Sequence, residues 1–132
     1  MTPRERRTGI ALSIGLLLQL IFINGILKNV VRRPRPYDEI DLLTSLIGKM
    51  PDSSFPSGHT TASFLSATII YMCMKDKRYG IMAYIIAILI ALSRLYLGVH
   101  YPSDVIAGVI FGVIIGFVVS KIASLHKKSR KH

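Results

Sequence analysis

The sequence predicts an all-α integral membrane helical bundle, with four transmembrane helices and a short interfacial helix between the first and second. Three observations carry that prediction. The apolar residues come in four blocks, and half the chain is hydrophobic with positive mean hydropathy, which favours a bundle in lipid over a soluble core. The basic residues fall in short clusters between those blocks, so the net charge of +10 follows membrane topology, not nucleic-acid binding. The 132 residues are enough for one domain, taken as 1–132. Cys73 is the single cysteine, which excludes an internal disulfide or a cysteine zinc cluster and leaves it as a packing residue.

The elements follow in order. Met1 to Arg7 is short and basic. Thr8 to Leu27 is long enough to span, has no small-residue cleavage site, and so reads as a retained helix and not a cleaved signal. Asn24 and Lys28 are four apart and share a face of it. Lys28 closes this helix and opens the basic run of Arg32, Arg33 and Arg35, where Pro34 and Pro36 stop further helix. Between Tyr37 and Met50, the residues Ile40, Leu43, Ile47 and Met50 recur at helical spacing, which predicts the interfacial helix. Ser53 to His59 then carries helix-start chemistry, with serines followed by Pro56 and Ser57-Gly58-His59. The second long helix runs from there to about Met74.

Lys75 to Arg78 makes a tight turn. Tyr79 to Leu97 is the next span, with Ala83, Ala87 and Ala91 in register and Arg94 continuing their face; Gly98 stops it. Ser103 to about Leu125 is the last helix. Asp104, Gly108, Gly112 and Gly116 fall at steps of four, which points the carboxylate toward the face where backbones pack closest. The tail from Lys127 to His132 is basic, and His126 and His132 read as solvated. With four spans, the termini and the Lys75–Arg78 turn share a side carrying 11 Lys and Arg against two acids, a net of +9, while the other side nets +1. The positive-inside bias places the termini in the cytoplasm. The segments richest in candidate chemistry then gather at the outer surface.

The most informative stretch runs from Ser93 to Asp104. A guanidinium at Arg94 offers a planar fork of donors suited to phosphate oxygens. A neutral imidazole at His100 attacks phosphorus if a carboxylate holds its far nitrogen, and Asp104 lies one helical turn beyond. That pattern points to phosphoryl transfer through a phosphohistidine. Two further segments reach the same surface: Lys28 with Arg35-Pro36 six residues on, and Pro56-Ser57-Gly58-His59.

Together, Lys28…Arg35-Pro36, Pro56-Ser57-Gly58-His59 and Ser93-Arg94…His100…Asp104 resemble the three-part signature of the type 2 phosphatidic acid phosphatase family. That family includes bacterial undecaprenyl-diphosphate phosphatases and shares its site with vanadium haloperoxidases. The resemblance implies His100 as nucleophile, Asp104 as its orienting acid, and His59 as the general acid and then base. It implies Lys28, Arg35, Arg94, Ser57 and the Gly58 amide as phosphate ligands, with Pro36, Pro56 and Ser93 supporting them. No metal or other cofactor is expected, because three fixed cations take that place. Arg32 and Arg33 fall outside the signature and read as a solvated charge run. The family commonly has six spanning helices with the lysine motif ending the third, so this chain is either a compact form or a piece of a longer protein, and the uncovered flank makes a homodimer an expectation.

The implied activity is hydrolysis of a lipid phosphate or diphosphate in a bacterial cell membrane, with the site on the extracytoplasmic side. Undecaprenyl diphosphate is the first choice of substrate, and phosphatidylglycerophosphate or phosphatidic acid the runner-up. Membrane lipids are the only other partners expected, with no nucleic acid. A non-catalytic lipid-phosphate-binding subunit is the rival reading, but binding alone requires neither an acid nor an oriented nucleophile.

Overall fold

The computed structural model describes residues 2–40, 42–43 and 45–129, with side chains through Leu125. The basic tail's side chains, with His126 and His132, lie outside the described residues. Every regular element among those described is helical: α1 Pro3–Gln19, a π-helical stretch Leu20–Leu27, α2 Lys28–Val31, α3 Pro36–Glu39, α4 Gly58–Cys73, α5 Lys77–Tyr96 and α6 Pro102–Ser129.

Local chemistry sets the boundaries. Thr2 and Glu5 form a reciprocal capping box at the start of α1, with Pro3 just inside it. The helix continues through the wider π turns and ends at Arg32, whose φ of 47° is left-handed. Glycine usually takes that position, and an arginine there costs about 1 kcal/mol. Asp76 caps α5 by accepting from the Arg78 N–H at 2.9 Å. Gly98, at φ 69°, ends α5 as its residue type predicts.

The bundle is built around α4. One cluster joins α4 to α5 and α6 through Phe64, Ala67, Ala87, Ala91 and Val105; a second joins it to α1 and α6 through Ala11, Leu65, Ile69 and Val119. The outward faces of α1, α5 and α6 are exposed Leu, Ile and Phe, as a lipid-facing surface requires. Gly108, Gly112 and Gly116 let α6 press on the α4 backbone. A Cβ on Gly112 would lie 2.5 Å from the Thr61 carbonyl oxygen and 3.0 Å from the Leu65 nitrogen.

Among the described residues, three stretches are long and apolar enough to cross a membrane: Pro3–Glu39, Lys77–Tyr96 and Pro102–Leu125. The second long helix of the sequence reading, α4, has 16 residues, which at 1.5 Å each reach about 24 Å, short of the roughly 30 Å hydrocarbon thickness. The expected interfacial helix over 37–50 is corrected, since only Pro36–Glu39 is helical there among the described residues. Of the apolar stripe, Ile40, Leu43 and Ile47 are exposed, so these positions find no protein face to stabilise a longer helix. The segment instead folds back, with the Met50 N–H donating to the Tyr37 hydroxyl at 2.8 Å. Asp41 and Thr44 lie outside the described residues.

The close approach of α6 to α4 predicts a specific sensitivity. Gly112→Ala should cost about 1–3 kcal/mol of stability through overpacking against backbone, whereas Gly9→Ala, with nothing within 4 Å of the added carbon, should be neutral or slightly stabilising. Thermal unfolding of both variants in detergent checks this.

Candidate active site

His100 lies in the short α5–α6 connection and is buried. Its Nδ1 is 2.7 Å from the Ser54 carbonyl oxygen, which can only accept, so Nδ1 carries the proton and Nε2 keeps its lone pair. Nε2 faces Arg35, whose Nη1 is 3.5 Å away. Asp104, on the first turn of α6, is fully buried, and its Oδ2 is 3.7 Å from Nδ1. The direct orienting bond to His100 therefore comes from Ser54, with Asp104 as the adjacent charge. Ser54 links the two, since its hydroxyl donates to Asp104 Oδ2. The Tyr101 N–H donates to the same oxygen at 2.8 Å, and Arg33 Nη1 donates to Oδ1 at 2.7 Å.

The cations reach this point from the first motif. The π turns and α2 carry Lys28 inward, where it is 7% exposed. Arg35 is 2% exposed, has an extended backbone, and precedes Pro36, which opens α3 and is itself buried. A carboxylate bridges them. Asp52 accepts from Lys28 Nζ at Oδ2 and from Arg35 Nη2 at Oδ1, at 2.6 Å, and its main-chain oxygen accepts from Arg35 Nε at 3.1 Å. Arg35 Nη1 also donates to the Val99 carbonyl at 2.9 Å, which leaves its remaining N–H on the His100 side. Burial alone would push the Asp52 carboxyl up, but hydrogen bonds from Lys28 and Arg35 hold it below its ordinary value. A cavity of about 640 Å³ opens beside this bridge, lined among others by Asn24, Lys28, Arg32, Arg35 and Asp52.

The second motif starts α4. Ser57 is its N-cap: its hydroxyl accepts from the Thr60 N–H at 3.4 Å and pairs with the Thr60 hydroxyl at 2.9 Å. That hydroxyl is fully buried, so a phosphate contact would require it to change partner. The Ser57 N–H donates to the Asp104 carbonyl at 3.0 Å, tying the second motif to the third. Buried Pro56 precedes it. Gly58 approaches the first helix closely, for a Cβ there would lie 2.9 Å from Asn24 Oδ1. His59 is exposed, within electrostatic reach of Arg94, His100, Lys28 and Arg35. Arg94 is half-buried at the end of α5, with Nε donating to Ser93 Oγ at 3.3 Å. Ser93 in turn donates to the Ile90 carbonyl at 2.7 Å. Among the described residues no three His, Cys, Asp or Glu side chains converge as on a metal ion.

The structure thus brings His100, Asp104, Arg35 and Lys28 into one network and leaves His59 and Arg94 facing it, without a direct bond to it. Three participants were missed from sequence. Asp52 belongs to no motif, Arg33 reads as part of a solvated run, and Ser54 carries no signal of its own.

The segments that build this site all lie within the stretch that a family comparison matches. The description "PAP2 superfamily" fits residues 8–128. The chain belongs to the PAP2 superfamily. Among similar proteins, the PAP2 chain is 34% identical over 105 residues to the undecaprenyl-diphosphatase of Sulfolobus acidocaldarius, covering 80% of this chain and 50% of that protein. It is 35% identical over 108 residues to phosphatidylglycerophosphatase B of Bacillus subtilis, covering 71% of this chain and 50% of that one. The crystal structure of Aquifex aeolicus LpxE superposes with a TM-score of 0.75 at 29% identity, over 84% of this chain and 66% of that one. The chain spans about half the length of these two curated relatives.

The Asp52 bridge yields a test. Asp52→Ala removes the shared countercharge of two buried cations, so the variant should melt below the wild type, and inorganic phosphate should raise its melting temperature more than the wild type's. Because the folded carboxyl sits below its ordinary value, the wild-type contribution is complete above that value and is lost as acid takes the pH through the lower, folded one. Thermal shift assays with and without phosphate, across acid pH, read both.

Proposed function

We propose that this PAP2 chain is the core of a lipid phosphatase resident in a bacterial cell membrane, acting through a phosphohistidine on His100. The observation that carries the reading is the state of that imidazole. Its Nδ1 proton is committed to the Ser54 carbonyl while Nε2, lone pair intact, faces the Arg35 guanidinium. A nucleophile aimed at a fixed cation suits attack on an anionic phosphorus centre.

In the first step the Nε2 lone pair forms a bond to the terminal phosphorus, and the bond from that phosphorus to its leaving oxygen breaks, which is the bridging oxygen of a diphosphate or the ester oxygen of a monophosphate. His59 gives that oxygen a proton. Lys28, Arg35 and Arg94 stabilise the charge on the transferring phosphoryl group, and Asp104 balances the charge that appears on the imidazole. In the second step His59 takes a proton from water, whose oxygen displaces the imidazole and releases inorganic phosphate. Ser57 and the Gly58 N–H serve as additional phosphate donors at the start of α4. Three cations supply the electrostatic role a divalent metal would otherwise fill, so turnover needs no added metal.

Undecaprenyl diphosphate, cleaved to undecaprenyl phosphate and inorganic phosphate, is the first choice of substrate. It is supported by the 34% identity to an undecaprenyl-diphosphatase. Phosphatidylglycerophosphate is the second, supported by the 35% identity to phosphatidylglycerophosphatase B. The proposal places α4 across the membrane with its neighbours, the termini in the cytoplasm and the site at the outer surface, as the +9 against +1 distribution of charge favours. It includes a homodimer, and a molar mass of one chain in detergent would contradict that part.

Phosphate release from a panel of lipid phosphates by purified protein is the test. Wild-type release should persist in excess chelator, and His100→Ala should lower it by at least about a thousandfold. Equal release by both proteins would end the enzymatic reading, and loss in chelator restored by magnesium would contradict the metal-free site.

A further inference from the structure

Arg33 sits between two of the cations assigned to phosphate, yet its contacts lead elsewhere. Its Nη1 donates to Asp104 Oδ1 at 2.7 Å and to Ser103 Oγ at 2.7 Å, and its guanidinium carbon lies 4.1 Å over the Tyr101 ring. Its main chain is held as well: the N–H donates to Ser53 Oγ at 2.9 Å and the carbonyl accepts from the Ser54 N–H at 2.9 Å. A residue fixed by backbone, fork and stacking is not a solvated charge.

The carboxylate it holds is fully buried. The other donors to Asp104 are the Ser54 hydroxyl and the Tyr101 N–H, both neutral. Arg33 brings the full positive charge in direct contact with it, and His100 stands 3.7 Å off. The division of oxygens is also informative. Arg33 takes Oδ1, which leaves Oδ2 turned toward Nδ1.

We infer that Arg33 is a positioning residue for His100, acting through Asp104. It selects the carboxylate rotamer and supplies part of the countercharge, so that Asp104 balances the imidazole without drawing its proton away from the Ser54 carbonyl. This rests on the phosphohistidine reading of His100. In that reaction Nε2 bonds to phosphorus as the leaving oxygen departs, and the proton on Nδ1 stays in place throughout. With Arg33 neutralised, Oδ1 loses its charged donor and the carboxylate is free to turn onto Nδ1. The ring then leaves the Ser54 carbonyl, and Nε2 no longer faces Arg35.

Arg33 touches no phosphate in this account, so its loss should appear in kcat and not in KM. Arg33→Gln should lower kcat by about 10- to 100-fold, the usual size of losing a partner that orients a reacting group, with KM unchanged. Arg33→Lys, which keeps the charge and one bond, should recover most of the loss. The histidine Nδ1–H resonance bonded to Ser54, assigned by its absence in His100→Ala, should shift in Arg33→Gln and stay in place in Arg33→Lys. A rise in KM at constant kcat would make Arg33 a phosphate ligand and overturn the inference, as would an unmoved resonance or unchanged kinetics. If Arg33→Gln does not fold, Arg33→Met takes its place against wild type and Arg33→Lys: a lower kcat at constant KM supports the inference, and any other pattern overturns it. Wild-type protein that releases no phosphate from any lipid phosphate would remove the proposed reaction, while the imidazole resonance would still report whether Arg33 orients His100.

Discussion

A single buried carboxylate holds the site together. Asp104 has no exposed surface, and its side chain and main chain bind residues from all three motif regions: Arg33 beside the first, Ser54 and Ser57 at the second, and Tyr101 within the third. A charge removed from water is costly unless it is paired and fully hydrogen-bonded. Segments far apart in sequence are therefore obliged to converge on it. The glycine stripe of α6 makes this possible, because only a helix lying against the α4 backbone delivers its first turn to the start of α4.

From that junction the rest of the site follows. Ser54 is drawn in by Asp104 and offers its carbonyl to His100, which fixes the tautomer. His100 then meets Arg35, and Arg35 shares Asp52 with Lys28. Each cation on this path meets a carboxylate: the Arg33 guanidinium at Asp104, and the Arg35 guanidinium and Lys28 ammonium at Asp52, with the neutral imidazole between the two groups. Such pairing lets a small bundle keep three cations buried or half-buried close to one another before any phosphate arrives. Asp52, half-exposed beside the cavity, is the member of the path best able to give way to an incoming anion.

Much of this was legible in the sequence, and the reasons differ by residue. Asp104 could be placed inward because its register with Gly108, Gly112 and Gly116 is a geometric fact about helices. Gly98 marked the end of α5 because that turn needs a left-handed residue. Lys28 and Arg35 could be paired with His100 through the family resemblance, and the structure joins them. Arg33 and Asp52 were illegible because a charge in a loop has no periodicity to reveal its direction. Ser54 acts partly through its carbonyl, a group every residue has. The predicted interfacial helix failed for a related reason: apolar residues at helical spacing fold into a helix only where a surface receives them, and Ile40, Leu43 and Ile47 have none in the protein.

The central claim is that phosphorus is transferred to the Nε2 of His100, and trapping the intermediate tests it most directly. Purified protein would be mixed with undecaprenyl diphosphate radiolabelled in its terminal phosphate, quenched in alkali, digested and mapped. The account predicts an alkali-stable, acid-labile label on the peptide containing His100, absent when His100 is replaced by alanine. Label on a different residue, or phosphate released with no labelled protein at any time point, would contradict it.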